Sequence, residues 1–461
     1  MKKQLVLFLY LAVCSTALSQ SIVSNLTINI KERAANDSLP RFCTVNIEQN
    51  LVFEGYTTDT VNLQLNNVSM FMIAVKSFCF PHLAVEARAA TEINYRPLSN
   101  FNFDGKTLSF VLPDPNSHVK IIYEHLALFN LAHLYAGALY FQAYMHDQQS
   151  WLFSCLGMRM DNAVFFVPED CYLFVNKPYI KSDDTAIVNL SSARDIEFSF
   201  YVAKKDYYQC DTIADIFSTM YLYFLKDIAA SSDSTYAIPI EKLNSVLVER
   251  KESLHTRTQK IADFFNSKEH KFFYIIDANL DNEGVVWGRM HRITKKDFLI
   301  LMDTSMWNTT SVGHEIIHAY IPYEYNPPKN DSTHYFFNES IVEYLANYFF
   351  YEKQSLPTVY EDIIRKYYER ENKITSIFKI DDNRIDASTG EGTARIVYLK
   401  TPYIIHKFAE MIGGDEYFVE LLSEFYQQSF EKKQISLHDM EYFFRSKSVT
   451  NEQWSWFITN L

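Results

Sequence analysis

Ser311-Val312-Gly313-His314-Glu315-Ile316-Ile317-His318-Ala319-Tyr320 is the stretch on which the reading of this chain turns. It contains His-Glu-x-x-His. On an α-helix, residues four apart stand about 40° apart around the axis and about 6 Å apart along it, so His314 and His318 project from one face. Two neutral imidazoles placed in this way can grip one Zn²⁺, and Glu315 between them can reach a water beside the ion. Ile316, Ile317, Ala319 and Tyr320 suit a helix buried on one side and chemically open on the other. A helix with two surface histidines and a charge would carry the same five letters, so the motif needs a partner.

The partner lies downstream, in Phe336-Phe337-Asn338-Glu339-Ser340-Ile341-Val342-Glu343-Tyr344-Leu345-Ala346-Asn347-Tyr348-Phe349. The spacing predicts a second helix, with Ile341, Leu345, Tyr348 and Phe349 as its apolar stripe. Glu339 follows His318 after 20 intervening residues. Pro322, Pro327, Pro328, Asn330 and Asp331 break the segment between them, which suits a loop and an antiparallel return. The returning helix offers Glu339 as a third ligand. Glu343, one turn on, is placed to hydrogen-bond a ligand histidine and hold its ring in orientation. Two glutamates at this spacing usually mark a solvated helix edge. Here they lie on a strongly apolar helix just after the histidine pair, which favours the metal reading.

A third segment, Arg395-Ile396-Val397-Tyr398-Leu399-Lys400-Thr401, opens an amphipathic helix that ends in Gly413-Gly414-Asp415. Taken together, H-E-x-x-H, then N-E-x-x-x-E, then Y-x-K resemble the gluzincin metallopeptidases, and within them the aminopeptidase N and glycyl aminopeptidase families. The resemblance runs from about Asp206 to the C-terminus and is weaker before that. It implies one Zn²⁺ per chain held by His314, His318 and Glu339, with Glu315 as general base and Tyr398 stabilising the oxyanion. It also implies a thermolysin-like bilobed catalytic domain with its cleft between the lobes. Tyr398 is one of 31 tyrosines, and core packing is the plain alternative for it.

The chain departs from those families in places. They carry a G-A-M-E-N or G-G-x-E-H loop whose glutamate holds the free amino terminus of the substrate. The matching stretch here is Trp287-Gly288-Arg289-Met290-His291-Arg292, which makes Gly288, Arg289, Met290 and His291 the expected substrate-binding residues. His291 stands at the glutamate position, and Arg289 replaces a small residue. A cationic loop would repel an α-ammonium. Lining the cleft, Arg289, His291 and Arg292 would favour acidic side chains or a substrate carboxylate; arginines turned to solvent would not. Thr401 replaces the glycine after Y-x-K, and the 43 residues after Phe418 are too few for the PDZ domain in which the glycyl aminopeptidase family usually ends.

Residues 1–19 read as a signal peptide: Lys2 and Lys3, an apolar run from Leu5 to Val13, then Ala17-Leu18-Ser19. The alternative is a lipobox that anchors Cys14 to lipid, with Val13 a poor residue before it. No later run reaches the roughly 18–20 apolar residues that a membrane span needs. The expectation is an exported protein, periplasmic or secreted, or a lipoprotein on the outer membrane. A net charge of −13 argues against nucleic acid as a partner and leaves peptide or protein as the expected substrate. With 48% hydrophobic residues the chain can bury a sizeable core, and an aromatic share of 16% suits β-rich packing better than a carbohydrate-stacking surface.

Five cysteines follow the signal segment, too sparse to be a framework, with Cys155 and Cys171 spaced to close a hairpin. From about Ile22 to Val202 short apolar–polar alternations predict a β-sandwich-like domain, for example Leu26–Ile30, Val61–Leu65, Leu108–Leu112 and Ile196–Phe200. Helical periods are expected over Thr212–Ala230 and Pro239–Phe265, strands over Phe272–Asp277 and Phe298–Met302, and a loop up to Arg292. The fold class is therefore α+β multidomain: a β-rich domain over 20–205, an α/β catalytic lobe over 206–355 and a helical lobe over 356–461. Two other readings remain open. One is a binding protein with a relic or structural zinc site; the other is a zinc hydrolase acting on something other than a peptide.

Overall fold

The computed structural model describes residues 21–32, 42–56, 60–64, 83–105, 107–128, 138–144, 152–153, 155, 158–182, 185–190, 197–205, 208–225, 240–278, 288–303, 309–321, 331–350, 376–379, 396–429 and 435–461. The expected signal segment and Cys14 lie outside them, as does most of 351–395. The chain divides into two compact units, Met1–Gln209 with Leu225–Ala237, and Cys210–Phe224 with Ile238–Leu461. Mixed α/β content, several sheets and a helical C-terminal region are what it contains.

The first unit is built from strands. Its largest sheet has eight, in the order Tyr179–Ser182, Thr185–Asn189, Met158–Phe166, Ser21–Glu32, Phe42–Glu54, Ser117–Leu128, Ala84–Ala89 and Arg96–Pro97. Two three-stranded sheets accompany it. Alternation does the folding here, since successive side chains on a strand face opposite ways. Ile28, Ile47, Val119, Ile121, Phe110, Phe165 and Phe200 point into one shared core. The aromatic surplus goes largely to such packing: the Phe165 and Phe200 rings meet edge to face at 4.9 Å. Cys155 and Cys171 carry free thiols, so the hairpin disulfide expected of them is not formed.

The second unit starts with a five-stranded sheet in the order Tyr208–Ala214, Ser218–Leu225, Lys271–Ala278, Asp297–Asp303 and Gly288–Arg292. Two of these strands correct the sequence reading. Thr212–Ala230 was expected to be helical, yet its described part is strand. Met220, Leu222 and Phe224 alternate into the core, and Ser218–Tyr223 pairs in parallel with Lys271–Ile276. Tertiary pairing decided between two periods that a short apolar run cannot separate. The stretch before Arg292 was expected to be loop, and it is an edge strand antiparallel to Asp297–Asp303.

Helix α1, Ile240–Phe264, connects the parallel strands, and α2, Thr309–Tyr320, follows the sheet. After the segment 322–330 a π-turn, Phe336–Ser340, leads directly into α3, Ile341–Phe350. A second π-turn, Ile396–Lys400, leads into α4, Thr401–Ile412. Helices α5, Asp415–Ser429, α6, Leu437–Ser446, and α7, Asn451–Asn460, complete the unit. The last two begin with capping boxes at Ser436 and Thr450, which satisfy the first backbone N–H groups from within. Phe408, Phe418, Phe444, Trp454 and Phe457 fill the space among these helices, with Phe408 stacked on Phe457 at 4.3 Å.

Helices α2 and α3 pack against each other at one small residue. A Cβ placed on Gly313 would lie 2.2 Å from Cδ2 of the buried Phe350 ring. No side chain fits there without moving that ring, which the surrounding core holds. Gly313→Ala is expected to cost about 1–3 kcal/mol of stability through overpacking. Urea unfolding measures it; an unchanged midpoint would show that Phe350 yields freely.

Candidate metal centre

Helix α2 is buried along Val312, Ile316, Ile317, Ala319 and Tyr320 and leaves His314, Glu315 and His318 on the face towards α3 and the π-turns. The first π-turn brings Glu339 to them. Its Oε2 lies 3.4 Å from His314 Nε2 and 3.7 Å from His318 Nε2, and the two Nε2 atoms are 3.0 Å apart. Among the described residues this is the one group of His, Cys, Asp and Glu side chains with three donor atoms so close together. Ligand atoms about 2.0–2.1 Å from a tetrahedral Zn²⁺ stand about 3.3–3.4 Å from one another, so the observed separations fit such an ion. Two imidazoles and one carboxylate are also a donor set that zinc takes.

Each donor is held from behind. His314 Nδ1 donates to Glu343 Oε2 at 2.9 Å, which places the hydrogen on Nδ1 and aims Nε2 at the group. Asn347 Nδ2 in turn donates to the Glu343 side chain at 3.1 Å and to its carbonyl at 2.8 Å. Glu339 Oε1 accepts from Asn338 Nδ2 at 2.6 Å, and Oε2 accepts from the Tyr398 hydroxyl at 2.9 Å. Glu315 is half-buried beside them, and among the described residues no side chain or backbone donor is bound to its carboxylate. Of the three carboxylates, two are bonded to described residues and Glu315 is not.

The electrostatics follow from removing these groups from water. Burial opposes a charge on His314, but the acceptors Glu339 and Glu343 and the charge of Glu315 outweigh it, so its pKa stands well above the ordinary histidine value. For Glu339 the balance is reciprocal. Burial alone would raise its pKa, and the two imidazoles hold it far below the usual carboxylate range. Burial, and then the Glu339 charge, keep the Tyr398 phenol well above its ordinary pKa, so it is a neutral donor. Lys400, the last residue of Y-x-K, is buried and donates to the Leu461 carbonyl at 3.5 Å.

The strand Gly288–Arg292 sits at the sheet edge. Met290 packs against the core that α2 helps to build. His291 is paired in register with Leu299 and is buried. Arg292 donates to the Ile321 carbonyl at 3.2 Å and lies over the Phe298 ring, so part of its guanidinium is already engaged.

Several supporting residues escaped the sequence reading. Asn347 was legible, being one turn after Glu343 on the same helix. Asp415 was not: its carboxylate accepts from the Tyr344 hydroxyl at 2.6 Å and pairs with His406 Nδ1 at 2.8 Å, joining α3, α4 and α5. Only the fold brings those three together.

No family model matches this chain, and no curated protein does. Solved structures do. One is aminopeptidase A of Legionella pneumophila in complex with aspartic acid, 13% identical with a TM-score of 0.43, over 95% of this chain and 49% of that one. Leukotriene A4 hydrolase of Saccharomyces cerevisiae in its native form is 11% identical with a TM-score of 0.46, over 95% and 66%. The yeast enzyme in complex with bestatin is 10% identical with a TM-score of 0.43, over the same shares. The matched region thus spans about half to two thirds of those chains. Likeness at this level leaves the chemistry to rest on the side chains themselves.

A metal ion bound here would compete with protons for His314. The carboxylates that raise the His314 pKa favour its protonated form, whereas a metal ligand must be neutral. Zinc binding is therefore expected to release protons, and its affinity to fall as pH drops. Calorimetric titration in buffers of different ionisation heat counts them. An affinity flat in pH would remove the competition.

Proposed function

We propose that this chain is a zinc-dependent hydrolase that cleaves peptide bonds, with one ion held by His314, His318 and Glu339. The observation that carries this reading is the division of labour among the carboxylates: among the described residues Glu339 and Glu343 are tied to partners, and Glu315 beside them is not. A general base needs a free lone pair within reach of the proton it takes. Among the described residues the group offers three protein donors, whereas structural zinc sites ordinarily have four. That favours catalysis over a structural ion. When bound, zinc would supply Lewis acidity and lower the pKa of water in the site.

The residues of the chain do the rest. The carboxylate of Glu315 takes the proton from the attacking water and hands it to the leaving amide nitrogen. The Tyr398 hydroxyl, neutral and already bonded to Glu339, is a donor that the developing oxyanion can take over. Glu343, steadied by Asn347, keeps the His314 ring from turning. Export through a signal peptide at 1–19 belongs to the same reading, since that segment has the three-part layout of a secretory leader.

Glu315→Gln is expected to keep one zinc per chain and lose kcat/KM by about 10²–10⁴-fold. Metal analysis beside a peptidase assay tests it, and near-normal turnover would remove Glu315 from the chemistry. Tyr398→Phe is expected to lower kcat by about 10–100-fold with KM little changed. An unchanged kcat would return Tyr398 to packing.

A further inference from the structure

The two π-turns are joined by a bond that neither the metal nor the general base requires. In a π-turn a backbone carbonyl finds its donor five residues on. Five residues after Val397 stands Pro402, which has no N–H. Val397 is 2% exposed, so water is no substitute. The donor comes from elsewhere: Ser340 Oγ, on a side chain with no exposed surface, donates to the Val397 carbonyl at 2.7 Å. Ser340 closes the other π-turn and directly follows Glu339.

Two neighbouring pairs of residues are thus tied twice. Ser340 holds Val397 through the backbone, and Tyr398 holds Glu339 through the phenol at 2.9 Å. Removing the serine hydroxyl takes this donor from the Val397 carbonyl and unpins the turn from Ser340. A side chain carried on that turn then loses part of what fixes its place. Tyr398 is the residue carried.

We infer that Ser340 is a positioning residue: its hydroxyl, through the Val397 carbonyl, sets where the Tyr398 phenol stands at the metal centre. The kinetic side of this rests on the peptidase reading above; the structural side does not. Protein labelled with 3-fluorotyrosine separates the two. The fluorine resonance of Tyr398 is assigned by its loss in Tyr398→Phe. In Ser340→Ala that resonance is expected to shift or broaden while zinc stoichiometry stays at one, and in Ser340→Thr to return towards its original position. Ser340→Cys, close in size and a poor donor, stands in if the alanine variant does not fold.

In turnover, Ser340→Ala is expected to lower kcat about tenfold with KM within about twofold, and to add nothing in a Tyr398→Phe background. A resonance unmoved in both donor-free variants overturns the proposal. So does an equal loss of kcat with and without the Tyr398 hydroxyl, which would mark a general packing effect. A zinc-loaded wild type that cleaves no peptide would sink the peptidase reading and leave the fluorine result to decide Ser340 alone.

Discussion

The backbone at Gly313 meets the ring of Phe350 with no room for a Cβ between them, and the geometry of the site depends on that contact. It brings α2 and α3 close enough for His314 Nδ1 to reach Glu343 at 2.9 Å while its Nε2 faces Glu339 at 3.4 Å. One imidazole is held on both edges by side chains from the returning helix. A wider separation would leave two histidines on one helix and two glutamates on another, which is the surface arrangement that such motifs so often turn out to be.

Burial makes this closeness consequential. Carboxylates and imidazoles withdrawn from water are costly unless each finds a partner, and a buried pair that loses one member costs several kcal/mol, about 3–5. Here the partners are assigned atom by atom: Asn338 and Tyr398 on Glu339, His314 and Asn347 on Glu343. That leaves His318 turned towards the other donors and Glu315 with no bonded partner among the described residues. His314 and Glu339 stabilise each other's charged forms, which is why the raised pKa of one and the lowered pKa of the other belong together.

Among the described residues the helical path widens to π winding at Phe336–Ser340 and Ile396–Lys400, and both turns carry a residue of the site. Glu339 lies in one and Tyr398 in the other. Single π-turns within helices recur where a side chain must be aimed off the regular spiral. The spacing His-Glu-x-x-His, then Glu339 after 20 residues, says that a carboxylate returns to the histidines; it does not say that an extra residue in the turn aims it. Pro402 is the one letter that bears on the second turn, because it withdraws the N–H that the Val397 carbonyl would use.

What the sequence by itself determined was local and periodic. The i,i+4 histidines, the apolar stripes of α2 and α3, the alternating strands of the first unit and the helical C-terminal residues follow from side-chain order and backbone geometry alone. Tertiary structure decided everything that depends on partners distant in the chain. It made strands of Ser218–Leu225 and Gly288–Arg292, since a short apolar run takes its period from the neighbour it pairs with. It kept the Cys155 and Cys171 thiols free. It brought Asp415 to Tyr344 and His406, and Ser340 to Val397, across 71, 9 and 57 residues of sequence. A hydrogen bond of that span leaves no periodic trace, because the residues that make it are neighbours only after the chain has folded.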